Sequence, residues 1–124
     1  MKYNGEHKAD FYIQSHGNHA GRPLREPIPN CFSVWCDQEH AFEIVYCLYS
    51  AKVFEFYIIG SVIPFIRLYE IRTLLNQHFS KSFCSKKLHA VRAADQLEKQ
   101  LKLQLEKIKQ LKYVTANRAL KDSQ

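Results

Sequence analysis

The sequence predicts an α+β fold: a small, strongly twisted β-sheet with two helices, followed by a long amphipathic C-terminal helix. Three observations lead there. Short aromatic and β-branched runs fill the first third of the chain. The last proline is Pro64 and the last glycine Gly60, so sixty residues follow Pro64 with neither helix breaker. The charge is also divided. Residues 1–80 hold seven Lys/Arg against eight Asp/Glu, whereas residues 81–124 hold eleven against four, so all the excess positive charge lies in the C-terminal third.

DFYIQS (residues 10–15) and NCFSVWC (30–36) are short, aromatic and β-branched, and both read as strands. HGNHAGRPLREPIP between them has two glycines and three prolines and reads as a loop. A loop of that length in a small domain is often functional. Asp37 is a candidate N-cap for a helix to about Ser50, with Ala41, Phe42, Ile44, Val45 and Leu48 on its apolar face. VFEFYII and SVIPFIR follow as apolar segments, with Gly60-Ser61 as the bend between them. A further helix is expected over Leu68–Gln77. After the polar break HFSKSFCS comes a long helix from about Lys86 to Leu120. The division expected is thus a body over 1–83 and a basic helix over 84–124.

In the long helix, position a of a heptad falls on Ala94, Leu101, Ile108 and Thr115, and position d on Leu97, Gln104, Leu111 and Arg118. Five of these eight are apolar, the good stretch covers Ala94 to Leu111, and Leu103 and Leu105 lie outside the seam. Leu97, Leu101, Ile108 and Leu111 are therefore the expected oligomer interface. An amphipathic helix packed on its own body would give nearly the same pattern.

At 124 residues the chain is the size of one domain, and 46% hydrophobic content suits a soluble globular class. The N-terminus lacks an apolar signal region. The apolar stretch 41–66 is interrupted by Glu43, Lys52, Glu55, Gly60 and Pro64, so no membrane span and a cytoplasmic setting are expected. Cys31, Cys36, Cys47 and Cys84 read as reduced, buried thiols.

The loop gathers His16, Asn18, His19, Arg22 and Arg25 within ten residues. Arginine forks suit phosphate oxygens and the guanine edge, and the glycines allow close backbone approach, so this loop is the expected DNA-facing element. Lys99, Lys102, Lys107, Lys109 and Lys112 would add sequence-independent, salt-sensitive phosphate contacts. His16 and His19 with Cys31 and Cys36 offer two nitrogens and two sulfurs for zinc. Cys31 and Cys36 stand five apart on a strand, however, and point to opposite faces. No metal, cofactor or catalytic residue is expected. Gly17 and Gly21 lack the Gly-Lys-Ser/Thr of a phosphate loop.

Read in order, DFYIQSHGNHAGRPLREPIPNCFSVWCD and AFEIVYCLYSAKVFEFYIIGSVIPFIRLYEIRTLL resemble a target-recognition domain of a type I restriction specificity subunit. The shared pieces are a strand leading into a G-x-x-x-G loop, a second strand, a helix, and a Gly-Ser bend before the closing helix. The resemblance covers about residues 10–75. It implies half of such a subunit, with Gly17, Gly21, Arg22 and Arg25 facing DNA, Gly60, Ser61 and Pro64 structural, and the basic helix a spacer. The chain is about half the usual length of such a domain, and NQHFSKSFCSKK replaces the proline-rich segment that usually precedes the spacer. It is also similar to small uncharacterised proteins of gut Bacteroidetes mobile elements. The expected function is a non-enzymatic, DNA-associated module. The alternative is an assembly protein without DNA contact that pairs with its own copy or with a restriction or mobile-element subunit, in the latter case as a decoy of the specificity subunit.

Overall fold

The computed structural model describes residues 1–5, 8–81 and 85–122. At its centre is β1 (Phe11–Gln14), flanked by β2 (Pro23–Leu24) and β3 (Cys31–Val34) in an antiparallel sheet of order β2-β1-β3. Tyr12 pairs with Leu24 on one side and with Ser33 on the other. Phe11 and Ile13 face one side of the sheet with Phe32 and enter the main core. Tyr12 points to the other side, where the edge of Tyr3 covers it at 5.4 Å and its hydroxyl accepts the Ala9 N–H at 3.0 Å. The chain start is held there because Tyr3 N–H donates to Cys31 O and Ser33 N–H donates to Met1 O. Both faces of β1 are therefore buried.

Helices α1 (Ala41–Ser50) and α2 (Leu68–Phe79) close the core. Ala41, Ile44, Val45 and Leu48 of α1 and Ile71, Leu74 and Leu75 of α2 are buried at helical spacing, as their apolar periodicity predicts. Phe42, on the margin of that face, meets Phe11 edge to face at 5.6 Å. The long helix α3 (Ser85–Asp122) has 38 residues and a length of about 57 Å. The α+β class is thus present as expected, with a three-stranded sheet and three α-helices among the described residues.

Three local expectations are corrected. The segment 16–29 is not all loop, since Pro23–Leu24 forms a strand on β1. Proline is tolerated there because β2 is an edge strand. Asp37 does not cap α1. That helix starts four residues later, behind His40 in a left-handed conformation with no side-chain cap. The nearby Cys36 N–H is taken instead by the Asp10 carboxylate at 2.8 Å. VFEFYII, expected simply as one apolar segment, contains a turn and is not uniformly buried. Val53–Tyr57 is a 3₁₀ turn that buries Phe54 and leaves Phe56 90% exposed.

Gly60 and Pro64 belong to a short hairpin. Ile59 and Phe65 exchange two backbone hydrogen bonds at 2.9 and 2.8 Å. Gly60 turns the chain at φ +103°, and a β-carbon there would lie 2.5 Å from Ile63 O. The returning segment then lies beside the end of β1: Gly17 N–H donates to Pro64 O, and Ile66 N–H to Ser15 O. The bend thereby holds the start of the Gly17–Gly21 loop.

Contacts divide the chain into compact units at Met1–Leu88 and His89–Gln124. The first turn of α3 belongs to the body, where Leu88 is buried. Cys31 is buried and Cys36 and Cys47 are half-buried, all as free thiols. Cys84 lies outside the described residues.

Candidate functional site

The loop from His16 to Arg25 is fixed to the body at nearly every side chain expected to face DNA. Gly17 and Gly21 adopt φ +94° and +95°, and Gly21 packs so closely on Phe54 that a β-carbon would lie 2.6 Å from the ring. His16 stacks on Phe65 with ring centroids 5.5 Å apart. Its Nδ1 is 2.7 Å from Ser15 Oγ, which donates its single proton to Asn30 O at 2.6 Å. Nδ1 must therefore carry the proton of that contact, because the serine has none left to give. His19 Nδ1 and the Tyr49 hydroxyl share a hydrogen bond at 3.1 Å.

The two arginines are similarly engaged. Arg22 donates to Gln14 Oε1 at 3.2 Å, and its Nε is buried with no hydrogen-bond partner among the described residues. Arg25 lies 3.6 Å from the centroid of the Phe42 ring and 3.8 Å from the Glu43 carboxylate, with about half of its side chain exposed. Asn18 is exposed at the tip of the loop. The structure thus brings His16, His19, Arg22 and Arg25 onto one scaffold, but their polar and aromatic partners come from the body itself.

Among the described residues no group of three or more His, Cys, Asp or Glu side chains is placed to hold a metal ion. Cys36 Sγ accepts the Gln38 N–H. Burial raises the thiol pKa of Cys31, opposed by a hydrogen bond at Ile28. Burial also raises that of Cys47, helped by the Glu43 charge.

On α3, Lys99 pairs with Asp95 at 3.1 Å, Lys102 with Glu98 at 2.9 Å and Lys109 with Glu106 at 3.8 Å. The Glu98 hydrogen bond and charge hold the Lys102 ammonium pKa above its ordinary value. These i,i+3 and i,i+4 pairs support the helix and partly neutralise the lysines expected to touch phosphate. Lys107 and Lys112 have no carboxylate partner among the described residues. At 3.6 residues per turn the five lysines spread around the helix rather than lining one side.

The apolar residues of α3 do line one side. Ala94, Leu97, Leu101, Leu105, Ile108 and Leu111 follow one another at steps of three or four residues. Leu97, Leu101, Ile108 and Leu111 are 57%, 55%, 61% and 67% exposed, and Leu105, outside the expected seam, is 50% exposed. Within the helix nothing covers this stripe. Sequence reasoning did not show that Phe56, Val62 and Ile63 are also exposed. In the sequence they read only as parts of apolar segments, and the 3₁₀ turn and the hairpin turn them outward.

These features define an α+β body followed by a helix whose apolar face is exposed. The chain belongs to DUF6943, a family of unknown function, whose model matches residues 1–118. The match spans both compact units and includes the whole apolar stripe. No curated protein and no solved structure matches the chain.

Proposed function

We propose that the protein is an assembly module that associates with a second copy of itself through the apolar stripe of α3. The observation that carries this reading is the solvent exposure of Leu97, Leu101, Leu105, Ile108 and Leu111 on a single helical face. Each is about half exposed, so covering it would contribute about 1 kcal/mol. Over two chains the gross gain is about 10 kcal/mol, against an association cost of about 4–15 kcal/mol. Association is accordingly weak to moderate, with a dissociation constant in the micromolar range or above.

The test is Leu101→Lys/Ile108→Lys in the full chain. Sedimentation should show a monomer at concentrations where the native chain self-associates. Near-ultraviolet circular dichroism of the body should not change. A native chain that stays monomeric throughout the accessible concentration range would defeat the proposal.

A second reading, contact with DNA, is favoured by the ten Lys/Arg against four Asp/Glu within α3. Such contact would be sequence-independent and steeply salt-dependent. With Arg22 and Arg25 engaged by the body, the helix lysines rather than the loop would dominate it. Fluorescence anisotropy of a random duplex over a salt series tests this, and absence of binding at low salt would remove it.

A further inference from the structure

We infer that two copies of α3 pair antiparallel, with Glu98 of each copy set against Lys109 and Lys112 of the other. This rests on the assembly reading above and adds the orientation of the partner. The apolar stripe does not choose an orientation by itself. Leu97 and Ile108, and likewise Ala94 and Leu111, are symmetrically placed about a midpoint near residue 103, so the stripe fits a reversed copy as well as a parallel one.

The flanks are not equivalent. At 3.6 residues per turn, Glu98, Lys102, Lys109 and Lys112 border one side of the stripe, and Gln100, Lys107 and Arg118 border the other. Parallel helices set one kind of flank against the other. Lys112 would then stand near the partner's Lys107, neither having a carboxylate partner among the described residues, and symmetry would repeat this repulsion. Antiparallel helices set like flank against like flank. About the midpoint near residue 103, Glu98 then comes level with the partner's 107–109 region, beside Lys109 and one turn from Lys112. The two-fold axis makes this contact twice. Lys102 approaches the partner's Lys102, and Glu98, 2.9 Å from its own Lys102, then lies between that lysine and the partner's two lysines and is shared among them.

The test is a charge exchange in the full chain, read by sedimentation equilibrium. Lys109→Glu/Lys112→Glu should weaken self-association about tenfold, because two attractive contacts become repulsive. It should do so although it lowers the net positive charge of the helix. Glu98→Lys should weaken it similarly, and an equimolar mixture of the two variants should recover native affinity or exceed it. Glu98→Gln serves as a milder variant, and far-ultraviolet circular dichroism checks that helix content is retained. If Lys109→Glu/Lys112→Glu tightens association or leaves it unchanged, the antiparallel arrangement is overturned while assembly stands. If the native chain does not self-associate, both fall.

Discussion

Gly21 and Gly60 occupy positions that other residues cannot take, and their surroundings differ from those of Gly5. All three have positive φ, but a β-carbon at Gly21 would meet the Phe54 side chain and one at Gly60 would meet backbone, whereas Gly5 has open space. Gly5→Ala should cost about 1–2 kcal/mol from conformation alone. Gly21→Ala and Gly60→Ala should each cost at least about 1 kcal/mol more because something must also shift, a difference that urea titration would resolve. Arg25→Ala should lower stability by about 1 kcal/mol by removing the guanidinium from Phe42 and Glu43. No loss in that titration would show that the arginine is free for another role. Burial of Cys31 predicts that iodoacetamide at pH 8 labels Cys36 well before Cys31 in the native chain, which mass mapping would check. His78 gives a pH dependence of definite sign. Burial, then the Lys81 charge, holds its pKa below the ordinary 6.5. The unfolded chain binds that proton more readily, so this contribution is present above pH 6.5 and is lost as pH falls through the lower folded value. His78→Gln should flatten that part of the stability profile.

At the scale of elements, β1, β3 and the three helices were legible because their periodicities are long enough to read. Ala41-Ile44-Val45-Leu48 and Ile71-Leu74-Leu75 can bury together only as helices. β2 was not legible. Two residues carry no period, and Pro23-Leu24 becomes a strand only because β1 supplies the register. The start of α1 was misread because Asp37 is a good capping residue by type, while the Asp10 contact with Cys36 and the left-handed His40 delay the helix. At its other end, α1 stops at Ser50, and two residues on Lys52 has φ +63° and donates its N–H to Tyr49 O. Glycine is the usual residue for such a helix stop. Lys52→Gly should therefore stabilise the protein by about 0.5–1 kcal/mol, read as a higher melting temperature. A lower melting temperature would show that the lysine side chain contributes more than the strained backbone costs.

For the whole molecule, the compact body extends to Leu88, five residues beyond the boundary expected at residue 83. A chain ending at Phe83 would lose Leu88, which is only 4% exposed. A chain ending at Arg92 should unfold cooperatively with a urea midpoint near that of the full chain, and it should not self-associate. If it is unfolded, the body depends on more of α3 than its first turn. Among the described residues no helix is long and apolar enough to cross a membrane.

The fold class, the helix faces and the presence of an apolar seam on α3 are written in the order of residues along the chain. Each follows from the repeat of side-chain chemistry along one element, which is local information. What the loop arginines and histidines touch depends instead on how distant segments pack. Phe42, Glu43, Tyr49 and Phe65 lie seventeen to forty-nine residues away from their partners in the chain. The tertiary structure also makes Phe56, Val62 and Ile63 face outward, because a 3₁₀ turn and a hairpin set side-chain directions that apolar composition alone does not specify.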